Sequence, residues 1–265
     1  MSGLAAAVAR LAPDLAEFRP GEVWLAGAGP GRLGSLTLEV VAALAEADAV
    51  VYDALVDPAA LRVAAGTELH YVGKRRGQPS TPQGKIDALL VRLAQDGKRV
   101  LRLKGGDPNV FGRGGDEARA LARAGVPFRF LPGISSAFGA LAEARIPGTM
   151  RGTSRALILV TGHDPEAVDW AALARTGQPI VIYMGLAGLA RIADALMAGG
   201  LGAQTPAAVI ASATTPQERI LISNLGSVAA RAAAEGFRAP ALVVVGGIVA
   251  LREELLALAR AEAPA

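Results

Sequence analysis

Residues 101–118, LRLKGGDPNVFGRGGDEA, place Lys104, Asp107, Arg113, Asp116 and Glu117 on a frame broken by two glycine pairs and a proline. The apolar run ahead of this stretch reads as a buried parallel strand, so the KGGDP turn lies where such a strand emerges. Gly105 and Gly106 then expose backbone N–H and C=O groups to a ligand. Asp107 adds a carboxylate acceptor suited to ribose hydroxyls or an ammonium group. Arg113 follows on a flexible frame ahead of a helix whose first turn holds Asp116 and Glu117, where acidic side chains also suit the helix dipole.

Two more glycine loops stand at expected strand exits. GAGPG, residues 27–31, permits positive φ and close backbone approach to a ligand. Gly27 and Gly29 begin a dinucleotide fingerprint, but Arg32 occupies its third glycine position and Pro30 sits inside the turn, so the fingerprint fails. No phosphate-cradling G-x-x-x-x-G-K-[ST] occurs either. An ordinary strand-to-helix turn remains the alternative for GAGPG. In LPGISSAFGA, residues 131–140, Ser135 and Ser136 either meet a ligand or cap the helix that follows.

The elements that must position these loops alternate short β-branched runs with alanine- and leucine-rich amphipathic segments, the pattern of an α/β protein with crossover helices. Strands are expected at 23–27, 49–52, 68–73, 99–105, 128–131, 155–162, 179–185, 207–211, 219–223 and 241–247. Helices are expected at 35–47, 81–97 and 116–125, the second with Thr81 as N-cap, Pro82 at its first position and Gly97 at its C-terminal end. The strands at 207–211 and 219–223 are close enough to form a hairpin. Apolar periodicity lapses around ARIPGTMRGTSR, residues 144–155. The expected organisation is an extension at 1–20, an α/β domain at 21–147 and a second α/β domain at 148–265.

Composition narrows the chemistry. The 265 residues contain no cysteine, which removes disulfides, thiol nucleophiles and thiolate metal sites. Two histidines, His70 and His163, make a histidine-rich metal site a poor reading, and no metal is expected. The longest apolar stretch, 241–251, is far shorter than the roughly 18 residues of a membrane span. The first 18 residues lack a basic lead and carry Asp14 and Glu17, unlike a secretory signal, so a cytoplasmic protein is expected. A formal charge of +3 is mild, but the basic residues cluster at 74–76, at Arg99, Arg102, Lys104 and Arg113, and at Arg145, Arg151 and Arg155. Such clusters attract an anionic ligand. With 4% aromatic residues and no recognised binding module, nucleic acid is not the expected partner.

Taken together and in order, GAGPG, VVYDALV, VGKR, RLKGGDPNVFGRGGDE, LPGISS and VTGHD resemble the tetrapyrrole methyltransferases, over about residues 22–255. Within that family the likeness is to members that act on uroporphyrinogen III. The resemblance implies the class III methyltransferase fold, two α/β domains with a cleft between them, in a homodimer. It also implies methyl transfer from S-adenosylmethionine to two pyrrole carbons, giving precorrin-2 and S-adenosylhomocysteine on the way to sirohaem or cobalamin. By the same resemblance, Pro30, Gly105, Gly106, Asp107, Val110, Ser135, Ser136, Met184 and Ala213 contact the cofactor. Asp53 and Lys74 match the proton acceptor and donor, and Arg113, Asp116 and Arg151 match positions that handle the tetrapyrrole. Guanidinium groups suit its acetate and propionate arms. His163 is a family feature read as structural. The sequence departs from the family pattern at Asp116, at Glu143, Arg145, Gly148 and Met150, and at GGIV, residues 246–249. These departures bear on substrate choice, and they leave open a sister methylase taking a later precorrin, or a cofactor-binding homologue without turnover.

Overall fold

The computed structural model describes residues 3–11, 14–73 and 81–261. It divides into two compact units, Met1–Ser135 and Ser136–Ala265, so the segment 136–147, read from sequence as part of the first domain, lies within the second unit. Among the described residues no helix is long and apolar enough to cross a membrane.

The first unit contains α1 (Gly3–Leu11), β1 (Val23–Gly27), α2 (Leu38–Glu46), β2 (Ala49–Tyr52), β3 (Glu68–Tyr71), α3 (Gln83–Gln95), β4 (Val100–Lys104), α4 (Gly114–Arg123) and β5 (Phe128–Leu131). The five strands are parallel in the order β3-β2-β4-β1-β5. Successive side chains alternate between faces. Trp24, Ala26, Val50, Leu101, Leu103 and Leu131 pack with Val40, Ala43 and Leu44 of α2 and with the 3₁₀ turn Pro58–Val63. Val23, Leu25, Ala49, Val51 and Val100 pack with Ile86, Leu90 and Leu93 of α3 and with Ala118 and Leu121 of α4. Helices on both faces explain why these strands read as continuous apolar runs.

The second unit contains α5 (Ser136–Glu143), β6 (Ile158–Thr161), α6 (Trp170–Arg175), β7 (Ile180–Tyr183), α7 (Leu189–Ala198), β8 (Pro206–Ala211), β9 (Arg219–Asn224), α8 (Val228–Ala234), β10 (Ala241–Val245) and α9 (Leu251–Ala261). Its sheet runs β6-β7-β10-β8-β9. Only β6 and β7 pair in parallel; β10 is antiparallel to both β7 and β8, and β8 and β9 form the expected hairpin. The crossover pattern expected from the alternation of strands and helices therefore holds in this half for β6 and β7, and the antiparallel pairing of β10 is not foreseen by it. The short β8–β9 link forces antiparallel pairing, and β10 inserts between β7 and β8 rather than adding at an edge.

Local signals account for several helix ends. Thr37 accepts from the Val40 N–H at 3.4 Å at the start of α2, and Asp169 accepts from the Ala172 N–H at 2.9 Å at the start of α6. The expected Thr81 cap is corrected: α3 begins at Gln83, and Pro82 occupies the N-cap in an extended conformation without a side-chain bond. At the other end of α3, Gly97 has φ of +79° and donates to Ala94 O, while Lys98 donates to Leu93 O. This bond pair defines a Schellman termination. Gly125, Gly200 and Gly236 end α4, α7 and α8 with the same bonds.

The end of α5 repeats the pattern with a different residue. Arg145 donates to Ala142 O at 3.1 Å and Ile146 to Leu141 O at 2.9 Å, but Arg145 must hold φ at +54° with a side chain attached. A left-handed conformation costs an L-residue about 1–2 kcal/mol, partly offset by the lower chain entropy of a non-glycine residue in the unfolded state. Arg145→Gly is expected to raise unfolding stability by about 0.5–1 kcal/mol, measured as a higher urea midpoint at unchanged slope.

Candidate active site

The strand order of the first unit brings its glycine loops together. From β1 the chain passes β4 to reach β2, and from β4 it passes β1 to reach β5, with α2 packed on one face of the sheet and α4 on the other, so the connections of neighbours β1 and β4 leave in opposite directions on opposite faces. A crevice at such a switch point, at the carboxyl ends of the strands, is where open α/β sheets bind ligands. GAGPG and KGGDP both leave the sheet there. Ala28 N–H donates to Lys104 O at 2.7 Å, Gly29 N–H to Gly106 O at 3.1 Å, and Gly106 N–H to Gly29 O at 2.7 Å. A methyl group on Gly27 would lie 2.5 Å from Gly106 O and 2.6 Å from the Cα of Gly133, in the loop after β5. Only glycine permits three backbones to approach so closely.

Asp107 fastens these loops. Its Oδ2 accepts from Gly133 N–H at 3.0 Å and its Oδ1 from Asn109 N–H at 2.8 Å. The sequence reading offered this carboxylate to a ligand. Here both oxygens hold the backbone, and each keeps acceptor capacity for a second donor. Pro30, Gly105 and Val110 are partly buried at the same edge, and Ser135 is buried just beyond Gly133. Asp53 stands at the exit of β2, where its Oδ1 accepts from Leu55 N–H at 3.1 Å. Lys74 lies outside the described residues, as do Arg75 and Arg76.

The basic clusters read from sequence divide into two kinds. Arg99 is taken up by Asp48, through Nη2–Oδ1 at 2.9 Å, Nε–Oδ2 at 3.0 Å and its own N–H to Oδ2 at 2.9 Å. This pairing holds the Asp48 carboxyl at about 2. Arg102 and Lys104 are buried instead of facing an anionic ligand, which corrects their place in that cluster. Both meet Glu117 of α4, which is fully buried. Arg102 Nε lies 2.9 Å from its Oε1, and Lys104 Nζ lies 2.9 and 3.0 Å from its two oxygens. Gln83 Nε2 reaches Glu117 at 3.4 Å, and Arg102 Nη1 donates to the carbonyls of Val51 and Leu103. Burial, and then the Arg102 charge, push the Lys104 ammonium below its ordinary range, against the pull of Glu117. Glu117 was read as a helix-dipole residue. The signal that could have marked the cluster is the spacing of two between Arg102 and Lys104, which puts both on one face of a strand covered on both sides.

Arg113 and Asp116 do reach solvent. Arg113, at φ of +60°, stands at the N-cap of α4, with its Nε 3.2 Å from Asp116 Oδ2. Exposed pairs of this kind contribute only about 0–1 kcal/mol, so little holds them from a competing anion.

In the second unit, Met184 follows β7 and Ala213 follows β8. Both strands are antiparallel to β10, so their exits share one edge, with Tyr183 opposite Leu242 and Ala211 opposite Ala241. Three non-glycine residues there hold left-handed backbone: Met184 at φ +56°, Ser212 at +49° and Thr214 at +65°. Each such residue costs on the order of 1–3 kcal/mol, and such strain gathers at ligand sites. The Ala213 loop is braced by Thr214 N–H donating to Glu218 Oε2 at 2.7 Å and Ser212 N–H to Pro240 O at 2.9 Å. Ser136 opens α5, and Arg151 is exposed in a tight turn closed by Ser154 N–H donating to Met150 O at 2.9 Å. His163 is exposed on the loop after β6. Among the described residues no group of acidic and histidine side chains forms a metal site.

Comparison with known proteins places this arrangement. The family model for tetrapyrrole (corrin/porphyrin) methylases matches residues 22–229. A uroporphyrinogen-III C-methyltransferase from a Sinorhizobium species is 46% identical over 91% of this chain and 88% of its own length. The siroheme synthase of Pseudomonas paraeruginosa is 47% identical over 93% of this chain, which spans only 54% of that relative. The crystal structure of a Thermus thermophilus uroporphyrin-III C-methyltransferase complexed with S-adenosylhomocysteine is 38% identical, with a TM-score of 0.74 over 87% of this chain and 99% of that one. The family match over residues 22–229 and this extent of identity lead to one conclusion: the chain, with its two five-stranded sheets, belongs to the tetrapyrrole methylases.

Proposed function

We propose that this chain is an S-adenosylmethionine-dependent C-methyltransferase that converts uroporphyrinogen III to precorrin-2 by two successive methylations. The observation that carries the reading is 46% identity across 88% of a relative named for that reaction. The chain spans about half the length of the siroheme synthases it matches, so no further activity of those longer proteins is assigned to it. A homodimer belongs to the same reading.

The strand-exit loops fit S-adenosylmethionine. Gly27, Gly29 and Gly106 bring backbone to a crevice edge without side chains, and backbone N–H and C=O groups with a carboxylate are the donors and acceptors that an adenosine and an amino-acid moiety require. Pro30, Gly105, Gly106, Asp107, Val110 and Ser135 would hold it, and by the family resemblance Ser136, Met184 and Ala213 are cofactor residues as well. When bound, it supplies an electrophilic methyl group on a sulfonium. Arg113 and Arg151 hold acetate and propionate arms of the substrate, with Asp116 setting the pose of Arg113. Asp53 takes the ring proton that methylation releases, and Lys74 acts as the proton donor. Holding the pyrrole carbon in line with the methyl group supplies much of the acceleration.

Incubation with uroporphyrinogen III and S-adenosylmethionine is expected to give a product heavier by two methyl groups on mass spectrometry. A product from a later precorrin but none from uroporphyrinogen III would shift the assignment to a sister methylase. Cofactor binding with no product would leave a binding homologue. Arg113→Ala and Arg151→Ala should each raise KM for the tetrapyrrole about tenfold or more while leaving S-adenosylhomocysteine affinity within about twofold by calorimetry. Gly27→Ala, whose methyl group meets Gly106 O, should do the reverse, weakening S-adenosylhomocysteine binding by about tenfold, the equivalent of about 1.4 kcal/mol.

A further inference from the structure

The Arg102, Lys104 and Glu117 cluster is unbalanced. Two cations share one buried carboxylate, which leaves one positive charge in excess in a site closed to water. Such an excess is costly unless another anion faces it. The anion that faces it is Asp53. Arg102 Nη2 lies 3.5 Å from Asp53 Oδ2, and the Arg102 side chain is 3% exposed against 25% for Asp53. Asp53 thus stands at the border between the closed cluster and the open strand exits, with a cation fixed behind it.

We propose that Arg102 is a positioning residue for Asp53, and that Glu117 in turn fixes Arg102, so that the buried cluster presents the Asp53 carboxylate at the exit of β2. This rests on the reading of Asp53 as proton acceptor. Three constraints hold Arg102 in one pose: Glu117 Oε1 on Nε, and the Val51 and Leu103 carbonyls on Nη1. Nη2 is thereby aimed at Asp53, whose other oxygen is held by Leu55 N–H. One carboxylate held from two directions has little rotational freedom, as an acceptor that must meet a ring proton requires. Among the described residues, the cations near Asp53 are Arg102, at 3.5 Å, and Lys104, both from β4; Glu117 of α4 meets these two cations, and Gln83 links it to Asp87 of α3. The Tyr52 and Tyr71 rings adjoin each other on β2 and β3.

The test compares Arg102→Gln, which leaves the Lys104–Glu117 pair intact, with Lys104→Met, which leaves Arg102–Glu117 intact. Arg102→Gln is expected to lower kcat by about tenfold to a hundredfold, with S-adenosylhomocysteine affinity unchanged. KM for uroporphyrinogen III should stay within about twofold, so that the loss falls on kcat. Arg102→Lys, which keeps a cation beside Asp53, should restore most of kcat, and Lys104→Met should lower kcat less than Arg102→Gln. Arg102→Met is the substitute if the glutamine variant does not fold. A kcat unchanged in the Arg102 variants, or lowered equally by Lys104→Met, overturns the proposal. Carbon-13 NMR of the Asp53 carboxyl at fixed pH separates this failure from failure of the methyltransferase reading. A carboxyl resonance displaced on loss of Arg102 but not of Lys104 supports the pairing even in a chain without turnover, and one that stays in place refutes it.

Discussion

Everything at the strand exits of the first unit depends on the insertion of β4 between β2 and β1. That placement makes β1 and β4 neighbours whose connections run on opposite faces of the sheet, so GAGPG and KGGDP leave the sheet side by side. The reciprocal bonds between Gly29 and Gly106 then join the two loops as one more rung of pairing past the end of the strands. Asp107 extends the arrangement to the loop after β5. Three loops are tied by backbone contacts, so the crevice edge is rigid and offers mostly peptide groups, which suits a small polar ligand better than a broad macromolecular surface.

A second consequence of the same strand is electrostatic. β4 carries two cations into a face covered by α3 and α4, where desolvation costs several kcal/mol per ion. One glutamate on α4 meets both, and Arg102 also reaches the partly exposed Asp53 at the exit of β2. Two charges of the run that reads as ligand-attracting, Arg102 and Lys104, are thus internal. Arg113 and Arg151, by contrast, are exposed.

The second unit reaches a comparable end by other means. Its strand exits use left-handed backbone at Met184, Ser212 and Thr214 in place of glycine, and the strain is balanced by bonds to Glu218 and Pro240. Rigid loops with side chains attached suit a surface that must discriminate among ligands as well as hold one.

The sequence by itself determined the strands to within about three residues at either end, the helices α2, α3 and α4 to within a few positions, the hairpin of β8 and β9, and the glycine end of α3. Each of these is a local matter of periodicity, turn chemistry or backbone freedom. The resemblance in its motifs led to the family. Tertiary structure alone decided that β4 lies between β2 and β1, that β10 runs antiparallel inside its sheet, and that Arg102, Lys104 and Glu117 are buried together. It also placed a left-handed turn on Arg145, where nothing local called for an arginine. The physical reason is that a strand's partners and a charge's burial depend on residues far away in the chain, and no short window of sequence contains both members of such a pair.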